Sequence, residues 1–297
     1  MYGLMRTIAV RRLLGAAALS FMVASPAWAL EVRGYDSSED PGLYKYSERF
    51  REMAEFPPSE GLLDDAKEVF NKDRGGKSCS TCHGDDGEKL VGAATNYPKY
   101  DAKLGKPKLI QHAINTCLTD RMGQQALKWE GGEQVALVTY VKALSNGMEL
   151  NVQTDGPMAK FIEEGRKSYY ERMGHFDVAC HHCHENAAGT NIRAEYMSSP
   201  FGQNYKSFHE VAKGFRGSER DKRLQAGREI GSGSIEHWPI YRTKWGKLAS
   251  MQKRLRTCNK NVRGHVRPYG DDYYVNIEAF LASKTNGMRI NVPGFRP

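Results

Sequence analysis

Two five-residue stretches constrain this chain more than anything else in it: Cys79-Ser80-Thr81-Cys82-His83 and Cys180-His181-His182-Cys183-His184. Both read Cys-x-x-Cys-His, the spacing that attaches a c-type haem. Two thiols at this separation reach the two vinyl groups of one porphyrin as thioethers, and the adjacent imidazole binds the iron from the proximal side. The pattern predicts two covalently bound haem c groups, attached through Cys79 and Cys82 and through Cys180 and Cys183, with His83 and His184 as proximal ligands. What faces each iron from the other side is then the open question.

The N-terminus carries an export signal. Arg6, Arg11 and Arg12 precede an apolar run from Leu13 to Val23, and Ala27-Trp28-Ala29 is a small-x-small cleavage site, so residues 1–29 read as a secretory signal peptide. The apolar run is only about half of the ~20 residues that a spanning helix needs, and no membrane span is expected after cleavage. Export predicts the periplasm, where covalent haem attachment takes place. Of 43 Lys and Arg against 35 Asp and Glu, the signal removes three basic residues, and haem propionates bring the rest close to neutral. The high pI is therefore not a nucleic-acid footprint. The basic cluster from Arg216 to Arg228 reads as solvated surface or a docking patch for an acidic partner.

Taken in order, residues 30–60 form an extended N-terminal arm. Ser59 is a candidate cap for a helix over Leu62–Asn71, with Leu62, Ala66, Val69 and Phe70 on one face. The first haem motif follows, then loops, a helical stretch from Pro107 to Thr116 that runs into Cys117, and a helix over Glu133–Leu144 stopped at Asn146-Gly147. After a linker at Gln153–Pro157 the order recurs. A helix over Pro157–Met173 precedes the second motif, loops fill 185–246, a helical stretch over Lys247–Thr257 runs into Cys258, and a last helix covers Asp272–Ser283. The prediction is a mainly α protein of two tandem cytochrome c-like domains, 61–153 and 154–297, related by an internal repeat.

The repeat is visible in residues as well as order. Leu144-Ser145-Asn146-Gly147-Met148-Glu149-Leu150-Asn151-Val152 parallels Lys284-Thr285-Asn286-Gly287-Met288-Arg289-Ile290-Asn291-Val292. Cys117 and Cys258 each follow a Thr and lie 29 and 28 residues before the corresponding Asn. They thus occupy equivalent places in two copies of one unit. A Cys117–Cys258 disulfide, two inert buried thiols, and two distal iron ligands are the competing readings. The equivalence favours the third. Rival ligands by residue type are Met122, Met148, Met173, Met197 and Met288, and His112, His209, His237 and His265. His181 and His182 read as surface or haem-edge residues. A thiolate ligand donates charge to iron and lowers its potential relative to Met, which suits a site where the ligand sulfur itself reacts. Arg254, four residues before Cys258, shares its face if the helix persists, and could favour the thiolate and bind an anion bidentately. Its counterpart before Cys117 is Ala113. Read blandly, Arg254 is one surface charge in a basic helix.

Three stretches carry a family resemblance: Gly165-Arg166-Lys167-Ser168-Tyr169-Tyr170-Glu171-Arg172-Met173-Gly174, Trp238-Pro239-Ile240-Tyr241-Arg242, and Arg254-Leu255-Arg256-Thr257-Cys258-Asn259. With the two haem motifs they resemble the SoxA family, the larger subunit of the SoxAX cytochromes of periplasmic sulfur oxidation. The resemblance covers essentially the whole mature chain. It implies that His83 and Cys117 ligate one iron and His184 and Cys258 the other. It also implies that Cys258 is the active-site cysteine, found in the family as a persulfide, with Arg254 beside it. The implied activity is that of an L-cysteine S-thiosulfotransferase. Thiosulfate is conjugated oxidatively to a cysteine of the SoxYZ carrier, and electrons pass through haem to a downstream cytochrome. The implied partner is the monohaem subunit SoxX. The chain departs from the family pattern at Gly264-His265, where a small residue and a carboxylate or amide are expected. Two other functions share the haem ligands: a di-haem electron carrier without sulfur chemistry, and a thiosulfate dehydrogenase that makes tetrathionate.

Overall fold

Short helices and three small hairpins make up the architecture of the computed structural model, which describes residues 30, 32–40, 43, 46–59, 61–187, 191–192, 195–197, 199, 217–218 and 235–297. The signal-peptide reading, His209, and the cluster 216–228 apart from Gly217 and Ser218 lie outside the described residues.

The protein is mainly α. Helix α1 (Glu48–Glu55) begins at Ser47, whose hydroxyl accepts from Phe50 N. Together with a 3-10 turn at Ser37–Glu39, capped by Asp36, it shows that the arm is partly helical rather than extended throughout. Helix α2 (Leu62–Asn71) buries Ala66 and Phe70, as the apolar spacing requires. Its N-cap is Gly61, not a side-chain cap from Ser59. Ser59 offers its carbonyl to Leu62 N, and its buried hydroxyl has no partner among the described residues. Helix α3 (Cys79–His83) is the first haem motif. Strands β1 (Lys99–Asp101) and β2 (Lys106–Lys108) form an antiparallel hairpin, followed by α4 (Ile110–Met122) and α5 (Gly132–Ala143).

The second half repeats the order. Helix α6 (Ala159–Tyr170) precedes the second haem motif, whose His182–Asn186 segment is a π turn, and a two-residue hairpin pairs β3 (Asn191–Ile192) with β4 (Glu195–Tyr196). Strands β5 (Ile240–Arg242) and β6 (Lys247–Ala249) form the counterpart hairpin, followed by α7 (Met251–Asn261) and α8 (Asp272–Lys284). The last strand, β7 (Gly294–Arg296), runs parallel to β5, giving the order β6-β5-β7. Two helix readings shift accordingly. Pro107 and Lys247–Ala249 belong to strands, and both spare cysteines lie inside helices rather than beyond them.

The hairpins expose a second register of the repeat. Tyr97-Pro98 and Trp238-Pro239, Lys103-Leu104-Gly105-Lys106 and Lys244-Trp245-Gly246-Lys247, and Cys117 and Cys258 are all 141 residues apart. In each of these two hairpins the glycine takes positive φ (+64° and +59°) and its N–H bonds the carbonyl four residues back, Asp101 or Arg242, at 2.8 Å. The haem motifs are only 101 apart, so the second copy carries 40 more residues between motif and hairpin.

The core helices pack in equivalent pairs, α2 on α5 and α6 on α8. Gly165 permits the second crossing: a Cβ there would sit 1.9 Å from the Asn276 carbonyl oxygen. Residues 31–297 form one compact unit, with one apolar cluster drawing Ile110 and Val138 from the first half and Trp238, Ile240, Ile277 and Phe280 from the second. The two Asn-Gly segments join the halves. Asn146 donates to Val292 O (2.7 Å) and accepts from Val292 N (2.9 Å), while Asn286 donates to Val152 O (3.0 Å) and accepts from Val152 N (2.8 Å). Backbone bonds Gly147 N to Ile290 O and Gly287 N to Leu150 O repeat the relation, which is that of a local two-fold axis. Lys142 on α5 adds a cross-link, donating its ammonium to the carbonyls of Ile235 and Trp238 at 2.6 Å each.

The N-terminal arm is fastened to the C-terminus. Asp36 and Asn291 exchange two hydrogen bonds of 2.8 Å, the Arg296 guanidinium pairs with both oxygens of buried Asp40, and Phe50 stacks on Phe295 at 4.9 Å.

Candidate haem centres

Each Cys-x-x-Cys-His motif starts a helical turn, and its third residue secures the start. In the first, the Ser78 hydroxyl accepts from Thr81 N (3.2 Å) and the Thr81 hydroxyl accepts from Ser78 N (3.0 Å). In the second, where Ala179 offers no hydroxyl, His182 Nδ1 accepts from Ala179 N at 3.0 Å. His182 is therefore a cap, and His181 lies with its ring 5.1 Å from that of Tyr170. A turn of helix puts both thiols and the imidazole on neighbouring faces, which one porphyrin and its iron require.

Each spare cysteine faces the motif of its own half. Cys117 lies close enough to Cys79 and Cys82 for the thiols to act on one another's ionisation. Cys258 stands in the same relation to Cys180 and Cys183. All six cysteines are free, so no disulfide joins Cys117 to Cys258. Helix α7 persists through Cys258, which keeps Arg254 one turn before it, and the guanidinium acts on Cys183.

Five of the rival ligands have other surroundings. His112 turns Nδ1 to Leu109 N (3.1 Å) and packs its ring against Trp129, with burial pushing its pKa down to about 4. His237 is buried, 3.5 Å from Glu236 and 3.9 Å from Asp40. Met288 is buried in the joint between the halves, and Met148 is exposed. Met173 pairs its backbone with Val178, and its thioether accepts from the Tyr273 hydroxyl at 3.7 Å.

The donor set suits haem c. Burial pushes the Cys117 and Cys79 thiols up, and Cys180 up to about 12. The surrounding protein thus disfavours thiolate at Cys117, and a cation bound there would supply the missing stabilisation. Among the described residues no three His, Cys, Asp or Glu side chains converge as a bare-metal cage. One imidazole and one facing cysteine per motif is a set that a porphyrin, with four nitrogens of its own, would complete. Burial, and then Lys89, lower the pKa of His83, in the direction of the neutral imidazole that an iron ligand needs.

Sequence reading missed the supports of this site. Asn259, next to Cys258, is buried; its side-chain amide donates to His265 O (3.1 Å) and to the Tyr274 hydroxyl (3.3 Å), while its backbone carbonyl accepts from Gly264 N (2.8 Å). The Gly264-His265 departure thus lies in a loop held mainly through backbone groups. Gly174 presses on that loop, since a Cβ there would meet Val262 O at 2.1 Å. Nothing in a lone Asn after Cys marks such a role, because its partners lie on α8 and a following loop.

A helix-borne Cys-x-x-Cys-His in this setting defines a c-type cytochrome, and residues 65–150 match the family model for the SoxA/TsdA cytochrome c domain. The protein therefore carries haem c. The L-cysteine S-thiosulfotransferase subunit SoxA of Rhodovulum sulfidophilum is 30% identical over 237 residues, covering 79% of this chain and 71% of that protein. A subunit of the same name from Hydrogenobacter thermophilus is 30% identical over 241 residues, covering 80% and 83%. The crystal structure of SoxXA from P. pantotrophus shares the fold, with a TM-score of 0.69 at 24% identity over 86% of each chain. This chain belongs to the SoxA family of L-cysteine S-thiosulfotransferase subunits.

Proposed function

We propose that this chain is the catalytic subunit of an L-cysteine S-thiosulfotransferase that conjugates thiosulfate to a cysteine of the carrier protein SoxYZ, working in the periplasm beside a SoxX-type monohaem subunit. The observation that carries the reading is the grouping of Cys258, Arg254 and the Cys180/Cys183 motif on facing helical turns. In this reading the domains are 61–153 and 154–297, each with one haem c. His83 and Cys117 serve the first and His184 and Cys258 the second. The described residues include no helix long and apolar enough to cross a membrane.

Arg254 presents a planar pair of donors to the sulfonate oxygens of thiosulfate and aims its outer sulfur at Cys258. Cys258 forms a sulfur–sulfur bond with that outer sulfur, releasing one thiol proton and two electrons. Haem c, when bound, supplies the one-electron acceptor chemistry. The carrier's cysteine thiolate then attacks the outer sulfur in a thiol exchange, takes the S–SO3 group and releases Cys258 as thiolate. The first centre has Ala113 in place of Arg254, and the guanidinium that acts on Cys117, Arg121, lies one turn after the cysteine instead of before it; we read this centre as a redox site.

Cys258→Ala in the holoprotein complex tests the reading. Thiosulfate-dependent turnover with the carrier is expected to vanish while the spectrum of the 79–83 haem stays intact, and retained turnover removes Cys258 from catalysis. Omitting the carrier is expected to stop the reaction; tetrathionate formed without it would make the protein a thiosulfate dehydrogenase. EPR of both ferric haems is expected to show thiolate ligation, lost at one haem in each of Cys117→Ala and Cys258→Ala.

A further inference from the structure

The duplication supplies its own control for what a haem site needs and what it does not. From Lys253 to Arg267 the second copy holds six cations (Lys253, Arg254, Arg256, Lys260, Arg263 and Arg267) and no Asp or Glu. The stretch 141 residues earlier, His112 to Ala126, holds one Asp and one Arg. Both copies build the same hairpin, helix and facing cysteine, so the charge is not required by the architecture.

Four of these cations rest on aromatic rings. Lys253 lies over the Trp245 ring at 4.9 Å, Arg256 over Tyr269 at 4.0 Å, Arg263 over Phe176 at 5.8 Å and Arg267 over Tyr273 at 4.0 Å. An aromatic face orients a cation while leaving its net charge in place, unlike a carboxylate. Among the described residues, the carboxylates that act on these four are Asp271, 3.9 Å from Arg267, and Glu130, near Lys253 on the side away from the helix end.

Arg263 is the most telling of them. Helix α7 ends in a Schellman motif, with Gly264 N bonded to Asn259 O and Arg263 N to Lys260 O. This places Arg263 at φ +55°, a left-handed position that favours glycine. The first copy has glycine at the end of its helix: Gly123, at φ +66°. An arginine at the strained position carries its guanidinium to the exposed rim beside Phe176, which is 55% exposed.

We infer that the end of α7 and its loop, with Lys260, Arg267 and the Arg263–Phe176 pair, form a docking platform for an acidic protein surface beside Cys258. The inference rests on the catalytic reading of Cys258 and names the surface that receives the carrier. A small dianion engages donors that converge on one point, whereas Arg263 and Arg267 rest on separate rings. An acidic macromolecular face can meet them all, and such rim charges set encounter rate and salt dependence.

The test compares the holoprotein complex with its Lys260→Gln/Arg263→Gln variant, two exposed residues whose replacement leaves the core untouched. Lys103→Gln, on the first hairpin, controls for the loss of a surface cation outside the patch. The double variant is expected to raise KM for SoxYZ about threefold to tenfold and to flatten its salt dependence, with KM for thiosulfate unchanged. Equilibrium binding of SoxYZ to Cys258→Ser holoprotein, with and without the double substitution, is expected to weaken by the same factor. Because that arm reads no turnover, it decides the docking surface even if the assigned reaction fails. A rise in KM for thiosulfate instead would make the patch a small-anion funnel and overturn the proposal. So would a double variant indistinguishable from Lys103→Gln.

Discussion

Replacing Asn286 by Ala tests the joint between the two halves. The side chain holds both backbone groups of Val152, donating to its carbonyl at 3.0 Å and accepting from its N–H at 2.8 Å. Val152 is 3% exposed, so water does not readily replace either bond. Two hydrogen bonds contribute about 0.5–1.5 kcal/mol each, and the stranded polar groups of Val152 add a desolvation cost of similar size. The expected loss is about 2–4 kcal/mol, against which a helix-stop role for Asn alone is worth only a few tenths. For a unit of this size that loss lowers Tm by roughly 5–10 °C. The assay is thermal unfolding of the holoprotein followed by far-UV circular dichroism and by the haem Soret band. Both probes are expected to shift together, because the segments bind each other across a local two-fold. Asn146→Ala, which strands Val292 in the same way, is expected to match it. A shift below about 2 °C in both variants, or separate transitions for the two halves, would refute the reasoning.

Three further perturbations follow from buried groups. Burial raises Glu278 to about 7, so the folded state keeps a proton that the unfolded chain releases near 4.5. Stability from this group is therefore present below about 4.5 and declines as pH rises towards 7. Glu278→Gln, whose amide oxygen still accepts from Gln252, is expected to be more stable than wild type at pH 8 and to flatten that slope in urea titrations. Asp40 is held at about 2 despite its burial, chiefly by Arg296, so this pair contributes stability above the ordinary carboxylate range that is lost as pH falls through about 2. Arg296→Met strands the carboxylate and is expected to cost about 3–5 kcal/mol near neutral pH. Hydrogen exchange should then show the arm around Asp36–Asp40 losing protection first. Gly165→Ala is expected to cost about 1–3 kcal/mol by forcing α6 away from α8, read as a lowered urea midpoint, while Gly246→Ala costs less because its Cβ meets open space and only the φ is strained.

That the chain is a haem c protein was legible in its sequence. Covalent haem attachment depends on residue types at fixed short spacing, and one helical turn realises that spacing wherever it lies. The duplication was equally legible, because two copies of one unit leave marks at a constant offset, and it paired Cys117 with Cys258. Boundaries were less so. Pro107 and Lys247 fell into strands because the hairpins depend on pairing partners, not on local apolar period, and Ser59 lost its role as a cap to Gly61. Tertiary structure decided what lies far apart in sequence. Asn146 and Asn286 read as helix stops until each met the other's valine, 146 and 134 residues away. The arm belongs with the C-terminus only through Asp40 and Arg296. The basic run after Cys258 gained meaning only once Arg263 and Arg267 were seen resting on aromatic rings. Local chemistry needs only near neighbours in sequence, whereas hydrogen-bond partners, burial and the surroundings of a charge are properties of space, which only the folded chain fixes.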